Sequence, residues 1–336
     1  MKKLFLSIII FSILLLSGCS KVQLDADGCF SDVDSALKYA AKKDCNVLLF
    51  VTMEDDDNDS TELLNKVIRD GNFKTEIASD FAVTRLDFSQ KSYAATVVPE
   101  GSDEKTEKAA NAIADQIQKN TRFASLLNVS QTPSIYILSK ESYVLASFFY
   151  EAEDKNLSDF NELLQEENQK ANQLKEIIKN TKKGSQLERV SAIDTLYEAT
   201  ENDYRVFLAD LLNSVKSLDK KNESGLLGKY IYAAADANAI KAMNQGKIEE
   251  AVKFYIEAAE NEFLEPNLKQ QAYYVAAYIC SITGAGSSFS DSSVIIGYLQ
   301  KSIDADPESK EVPSIKKVLD VVSSIKSAES ELNKVE

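Results

Sequence analysis

Five carboxylates crowd one short stretch of this chain: Glu54, Asp55, Asp56, Asp57 and Asp59, directly after the apolar residues Val47, Leu48, Leu49, Phe50 and Val51. Side chains of this type, so placed, can cap a helix or ligate a hard cation. Asp59, followed three residues later by Glu62, reads as an N-cap with a reciprocating acid. Leu63, Leu64, Val67 and Ile68 then recur at helical spacing. An EF-hand loop counted from Asp55 fails, because Ser60 falls at the glycine position and Lys66 where the bidentate glutamate belongs. The default reading is a solvated, capped helix start, and a cation site of another design stays open.

The remaining inventory excludes more chemistry than it offers. The 336 residues contain no histidine, so Ser-His-Asp and Cys-His catalysis and histidine metal sites are absent. A net charge of −15 argues against nucleic acid and against docking onto anionic lipid by charge. Of the four cysteines, Cys29 and Cys45 flank a helix predicted over about 31–43. At 1.5 Å per residue that helix holds them roughly 20 Å apart, beyond disulfide reach. Cys280 lies on an apolar helix face, where a buried inert thiol is expected. No catalytic, cofactor-binding or metal-binding set emerges.

Stepping outward, Val33, Ala36, Leu37, Ala40 and Ala41 form a helical stripe ahead of the apolar run at 47–51. That run has no alternation, as expected for a strand covered on both faces. Further strands are predicted at 81–88, at 135–138 after Thr132-Pro133-Ser134, and at 144–149. The connection 89–131 holds a turn cluster at 99–102 and a predicted helix over 103–127. Its length fits a crossover joining parallel strands.

These pieces, in this order, resemble the thioredoxin-like superfamily over roughly residues 30–152. The matching features are AxxxAxxxxxxVLLF, a turn opening a helix, an FxVxxxDF strand and V-x-x-T-P before the next strand. Aligned without gaps, the two redox cysteines of that family fall on Asp57 and Ser60, so its CxxC reads Asp57-Asn58-Asp59-Ser60. The family's cis-proline matches Pro133 after Thr132. The resemblance therefore implies an α/β thioredoxin-like fold without thiol–disulfide exchange. A helix N-terminus favours a carboxylate as it would a thiolate, so Asp57 and Asp59 suit that position while exchanging nothing.

Ahead of this domain, Lys2 and Lys3 precede an apolar stretch over 4–16, the pattern of a secretory signal, and thirteen residues are short for a membrane span. Leu16-Ser17-Gly18-Cys19 resembles the bacterial lipobox. That resemblance implies removal of 1–18, acylation of Cys19 and a tether over 19–29, with more than one acyl chain for stable anchoring. Ser20 resembles the residue found in lipoproteins not retained at the inner membrane. The expected location is the bacterial envelope, at the outer membrane or cell surface.

From Leu157 the strands stop. An amphipathic helix built on Leu157, Phe160, Leu164, Ala171, Leu174 and Ile178 opens an all-α half over 157–336. Further helices are predicted near 186–200, 203–218, 225–244, 247–262, 267–283, 290–304 and 312–332. The stretch 246–260 resembles the second helix of a tetratricopeptide repeat. The stretch 294–307 resembles another copy about 44 residues on, so TPR-like repeats are expected over about 225–310. Tyr232, Tyr274 and Tyr278 are candidate contacts for envelope proteins or peptides, with helix-packing core as the alternative role. The expected function is a non-catalytic, membrane-anchored binding or scaffold module. The alternatives are a thiol oxidoreductase or accessory subunit using Cys29 or Cys45, and a surface lipoprotein that binds a host factor or solute.

Overall fold

A computed structural model describes residues 24–151, 155–282 and 291–332. The expected signal segment 1–18 and the lipid-attachment residue Cys19 lie outside these residues. No helix among those described is long and apolar enough to cross a membrane.

The amino-terminal half is a four-stranded mixed sheet: β1 (Asn46–Thr52), β2 (Phe81–Asp87), β3 (Ser134–Leu138) and β4 (Val144–Phe148), in spatial order β2-β1-β3-β4. β1 and β2 are parallel, β3 runs antiparallel to β1, and β4 antiparallel to β3. Helix α1 (Val33–Lys43) precedes β1. Between β1 and β2 come α2 (Asn58–Leu63), a π-helical turn (Leu64–Ile68) and the short α3 (Phe73–Glu76). Between β2 and β3 come the short α4 (Gln90–Ala94) and the long α5 (Glu104–Leu126). This order and these strand directions, followed by helices alone, fit a thioredoxin-like domain plus a helical region.

The crossover expected over 89–131 is corrected by the register. Thr52 pairs with Asp87 and Val51 with Ser134, so the chain leaves β2 and re-enters β3 at the same end of the sheet. β3 is therefore antiparallel to the β1–β2 pair, and the parallel crossover is the one through α2. The length of a connection shows that a helix fits in it; it does not fix where that helix returns the chain.

All seven residues of β1 are buried, and its side chains alternate between two cores. Leu48 and Phe50 join Leu63, Leu64, Val67, Ile135 and Ile137 on one face. Val47, Leu49 and Val51 join Ala36, Ala40, Leu86, Tyr136 and Leu138 on the other.

The carboxy-terminal half comprises α6 (Leu157–Asn180), α7 (Gln186–Ala199), a 3-10 segment (Asn202–Leu208), α8 (Ala209–Leu218), α9 (Leu227–Asn244), α10 (Ile248–Ala259), α11 (Pro266–Ile282), α12 (Ser292–Ala305) and α13 (Val312–Leu332). Two of these elements grip the sheet. α6 lays Leu157, Phe160 and Leu164 on the Leu48/Phe50 face. The 3-10 segment sets Val206 and Phe207 into the opposite face. Tyr204 packs edge-on to Tyr136 at 6.2 Å and donates to Ser147 Oγ at 2.9 Å. The helix expected to open a separate half thus completes the sheet's own core, and the division at 152–157 cuts through one hydrophobic cluster. Further along, α9 to α13 surround a second core that includes Tyr255, Ala276, Ile279, Leu299 and Ile315.

The described part of the expected tether, residues 24–29, also folds. From Leu24 the chain turns back on itself, with Leu24 bridging to Phe30. Phe30 then joins the outer edge of β2: its N–H donates to Val83 O and its carbonyl accepts from Arg85 N, both at 2.9 Å. This strap covers backbone groups that an edge strand would otherwise leave unpaired.

Candidate functional site

β1 delivers the chain to the turn at 53–57, and α2 starts at its far side. The N-cap is Asp57, not Asp59. Asp57 Oδ1 accepts from Asp59 N at 3.3 Å, and Oδ2 from Ser60 N at 3.1 Å. Asp59 lies within the first helical turn, exposed to solvent, where its charge complements the helix N-terminus. Glu62 does not reach back to the cap; it pairs with Lys66 one turn on.

The positions expected for the degenerate redox pair are joined by a short hydrogen bond. Ser60 Oγ donates to Asp57 Oδ2 at 2.6 Å and accepts from Met53 N at 3.1 Å. Thr132 Oγ1 also donates to Asp57 Oδ2, at 3.1 Å. The Thr132-Pro133 peptide bond is cis, and Pro133 is buried beside the start of β3. One carboxylate oxygen thus collects three donors from both sides of the site. A serine hydroxyl on a carboxylate could in principle be a nucleophile, but Ser60 is fully buried and no histidine exists to take its proton.

The other acids of the turn have separate partners. Asp56 Oδ2 accepts from Gln90 N at the start of α4. Asp55 adopts a left-handed backbone conformation (φ 67) and its N–H donates to Thr61 Oγ1 at 3.0 Å. Glu54 turns inward, contrary to the expectation of a solvated cluster. Among the described residues no group of three or more acidic or thiol side chains is arranged to hold a metal ion.

Glu54 belongs to an ion cluster that the sequence did not reveal, because its members are scattered over 60 residues. Arg85 Nε meets Asp25 Oδ2 at 2.9 Å, and its Nη1 meets Glu54 Oε2 at 2.9 Å. Arg69, which follows the π-helical turn, holds Asp27 at 2.8 Å and Glu54 at 2.7 Å. The cluster ties the strap, the turn, the π segment and β2 together. Burial opposes ionisation of Glu54, but the Arg69 and Arg85 hydrogen bonds outweigh it and hold its pKa below the usual value. The hydrogen bond from Arg69 likewise depresses Asp27. Under the strap lies a cavity of about 760 Å³, walled by Leu24, Cys29, Phe30, Phe73 and Phe81.

The thiols are poorly placed for exchange. Cys29 is 1% exposed, and burial pushes it up to about 12. Burial also raises Cys45, and no disulfide joins the two. Cys280 is buried, as expected, and desolvation raises it to about 11.

The three candidate tyrosines are not brought together. Tyr232 is half-buried with its ring 6.2 Å from that of Tyr255, a packing position. Tyr274 is half-buried in the wall of a cavity of about 450 Å³ between α11 and α13. Tyr278 is 57% exposed, beside Ile282 at 52%. The most buried tyrosine of the helical half is Tyr230, fully enclosed with its hydroxyl donating to Asp194 at 2.6 Å.

Comparison with known proteins gives three likenesses. Residues 226–328 match the family model TP_0391_C, described as "Uncharacterised protein C-terminal domain". An "Uncharacterized protein" of Treponema pallidum (strain Nichols) is 26% identical over 132 residues, which is 39% of this chain. The match spans less than half of that relative, 42% of its length. Among solved structures, a chain named "DsbH Oxidoreductase" aligns over 44% of this chain and 83% of its own, at 16% identity and a TM-score of 0.32.

Proposed function

We propose that this chain is a lipid-anchored envelope protein that binds other proteins and has no catalysis of its own. A redox-silent thioredoxin-like domain is its platform, and α9 to α13 form a TPR-like stack. The observation that carries this reading is the hydrogen bond between Asp57 and Ser60, at the two positions where the resembled family keeps its cysteines. The carboxylate there is saturated with donors, and the serine is sealed from solvent. Cys29 and Cys45, both with raised pKa values, supply little thiolate at neutral pH, which weighs against the oxidoreductase reading.

The purified full chain is expected to reduce insulin disulfides no faster than background. A rate matching an active thioredoxin, lost on Cys29→Ser or Cys45→Ser, would reverse the assignment. Crosslinking in intact cells, followed by pull-down, tests the binding half of the proposal; a chain that captures no protein under any condition contradicts it.

The anchor is tested separately. Mass spectrometry of native protein is expected to find a chain that starts at Cys19 and carries acyl mass. Cys19→Ala is expected to release the protein from membranes or to block processing. An unmodified N-terminus at another residue would remove the anchor from the reading.

A further inference from the structure

The cavity beneath the strap is the larger one, but its lining charges balance: Asp27 and Arg69 are paired with each other, and Asp70 and Lys74 add one charge of each sign. A second cavity, of about 500 Å³, differs in that respect. It lies where the carboxy-terminal end of α5 meets the 3-10 segment and α9, between the sheet domain and the helical half. Its volume is in the range of ligand pockets, and domain junctions are where such pockets concentrate.

Leu126, Val206 and Ile240 give the cavity apolar surface, and Ile240 is 41% exposed. Asp203 and Asp236 add two carboxylates. Neither makes an ion pair among the described residues. Among the described residues, the Asp203 carboxylate accepts a long contact from Asn128 Nδ2, at 3.4 Å. Asp236 Oδ1 accepts from the hydroxyl of Tyr255, a buried ring that fixes the carboxylate in place. The cation among the lining residues, Arg205, is committed elsewhere. Its Nε donates to the carbonyls of Tyr197 and Thr200 at 3.1 and 3.2 Å, and its guanidinium lies over the Tyr197 ring at 4.1 Å. The cleft therefore joins apolar surface to negative charge that has no ion-pair partner among the described residues.

Resting on the reading of this chain as a protein-binding module, we infer that this cleft takes a lysine-bearing, aliphatic peptide segment of a partner protein. A lysine suits both features at once, since its methylene stem covers apolar surface while its ammonium reaches a carboxylate. Hydrogen bonds to such charged pairs are stronger than neutral ones. A neighbouring aliphatic side chain of the same segment fills the remaining apolar space over Ile240.

The test is fluorescence anisotropy with the full chain in mild detergent at physiological salt. The probe is a fluorescein-labelled eight-residue peptide of alternating lysine and leucine; comparators are the glutamate–leucine peptide and free spermidine. Asp203→Asn with Asp236→Asn removes charge but keeps an acceptor for Tyr255, so the fold is retained, as thermal melts would verify. Loss of two charge-assisted contacts is expected to weaken the lysine–leucine peptide at least about tenfold. Ile240→Ser should also weaken it. Glu262→Gln with Glu308→Gln, exposed acids outside the cleft, should not. The inference is overturned if the lysine–leucine peptide does not bind, or if the glutamate peptide binds equally well. It is also overturned if both double variants lose the same affinity, or if spermidine competes as tightly as the peptide. Should crosslinking in cells retain its partners in the Asp203→Asn, Asp236→Asn variant, the cleft assignment fails while the binding module stands.

Discussion

Phe160→Ala is expected to destabilise the whole chain by about 4 kcal/mol, and to do so in one transition. Deleting a fully enclosed phenylalanine costs about 3–5 kcal/mol in lost burial and residual cavity. Phe160 is 0% exposed and sits among three other rings. Its centroid lies 5.9 Å from that of Phe50 on β1, 6.2 Å from Phe148 on β4 and 5.1 Å from Tyr150, the last edge-on. Such pairs add roughly 0.5–1.5 kcal/mol beyond area burial. Its helix continues into the cluster that holds Ile178, Val190, Ile193 and Leu212, so the lesion is shared by the sheet and the helices. Urea unfolding followed by tyrosine fluorescence and by far-UV circular dichroism checks this. Coincident midpoints that shift together are expected. Two separate transitions, with only one moved by the substitution, would show that the halves fold independently.

That coupling marks where sequence reasoning ran out. The strands were legible because Val47, Leu48, Leu49, Phe50 and Val51 form an unbroken apolar run, as a strand buried on both faces requires. Most helix boundaries after Leu157 are legible for a similar reason: amphipathic spacing persists between short polar turns, although the helix expected over 203–218 opens as a 3-10 segment up to Leu208. Periodicity says that one side of a helix is buried, but not against what. Nothing in Phe160 or Phe207 says that they pack on opposite faces of one sheet.

The candidate site was legible in position and misread in detail. The order of elements points to Asp57 and Ser60, and the structure brings them together with Thr132. The cap fell on Asp57 instead of Asp59 because Ser60, three residues after Asp57, returns the hydrogen bond to its side chain. A capping box looks for Glu or Gln at that position, so a serine there gives no signal. The ion cluster was hidden for a different reason. Asp25, Asp27, Glu54, Arg69 and Arg85 have no periodic relation, and only the fold of the strap brings them to one place.

Arg85→Met carries the second large effect. The Arg85 side chain is 9% exposed and reaches Asp25, Asp27 and Glu54, whose side chains are 11–17% exposed. Removing one partner of a buried ion pair costs about 3–5 kcal/mol, because the opposite charge stays behind unpaired. Water reaches these carboxylates in part, and Arg69 still holds Asp27 and Glu54, so the lower end, about 3 kcal/mol, is expected. Asp25 loses most, since Oδ2 has Arg85 as its ion partner while Oδ1 accepts from Asp27 N and Cys29 N. Asp25→Asn added to Arg85→Met should therefore restore part of the loss, and the double-mutant cycle isolates the coupling. The pH dependence has a definite sign. Glu54 and Asp27 titrate below their ordinary values in the folded chain. The unfolded chain therefore binds more protons in that window, and stability rises with pH there. The contribution is complete above the unfolded carboxylate values, about pH 4, and is lost as pH falls through the folded ones. Arg85→Met relieves part of the depression of Glu54, so its urea midpoint should fall less steeply from about pH 5 to pH 2 than that of the parent. Equal slopes, or a midpoint unchanged at pH 7, would mean that the cluster does not latch the strap to the sheet.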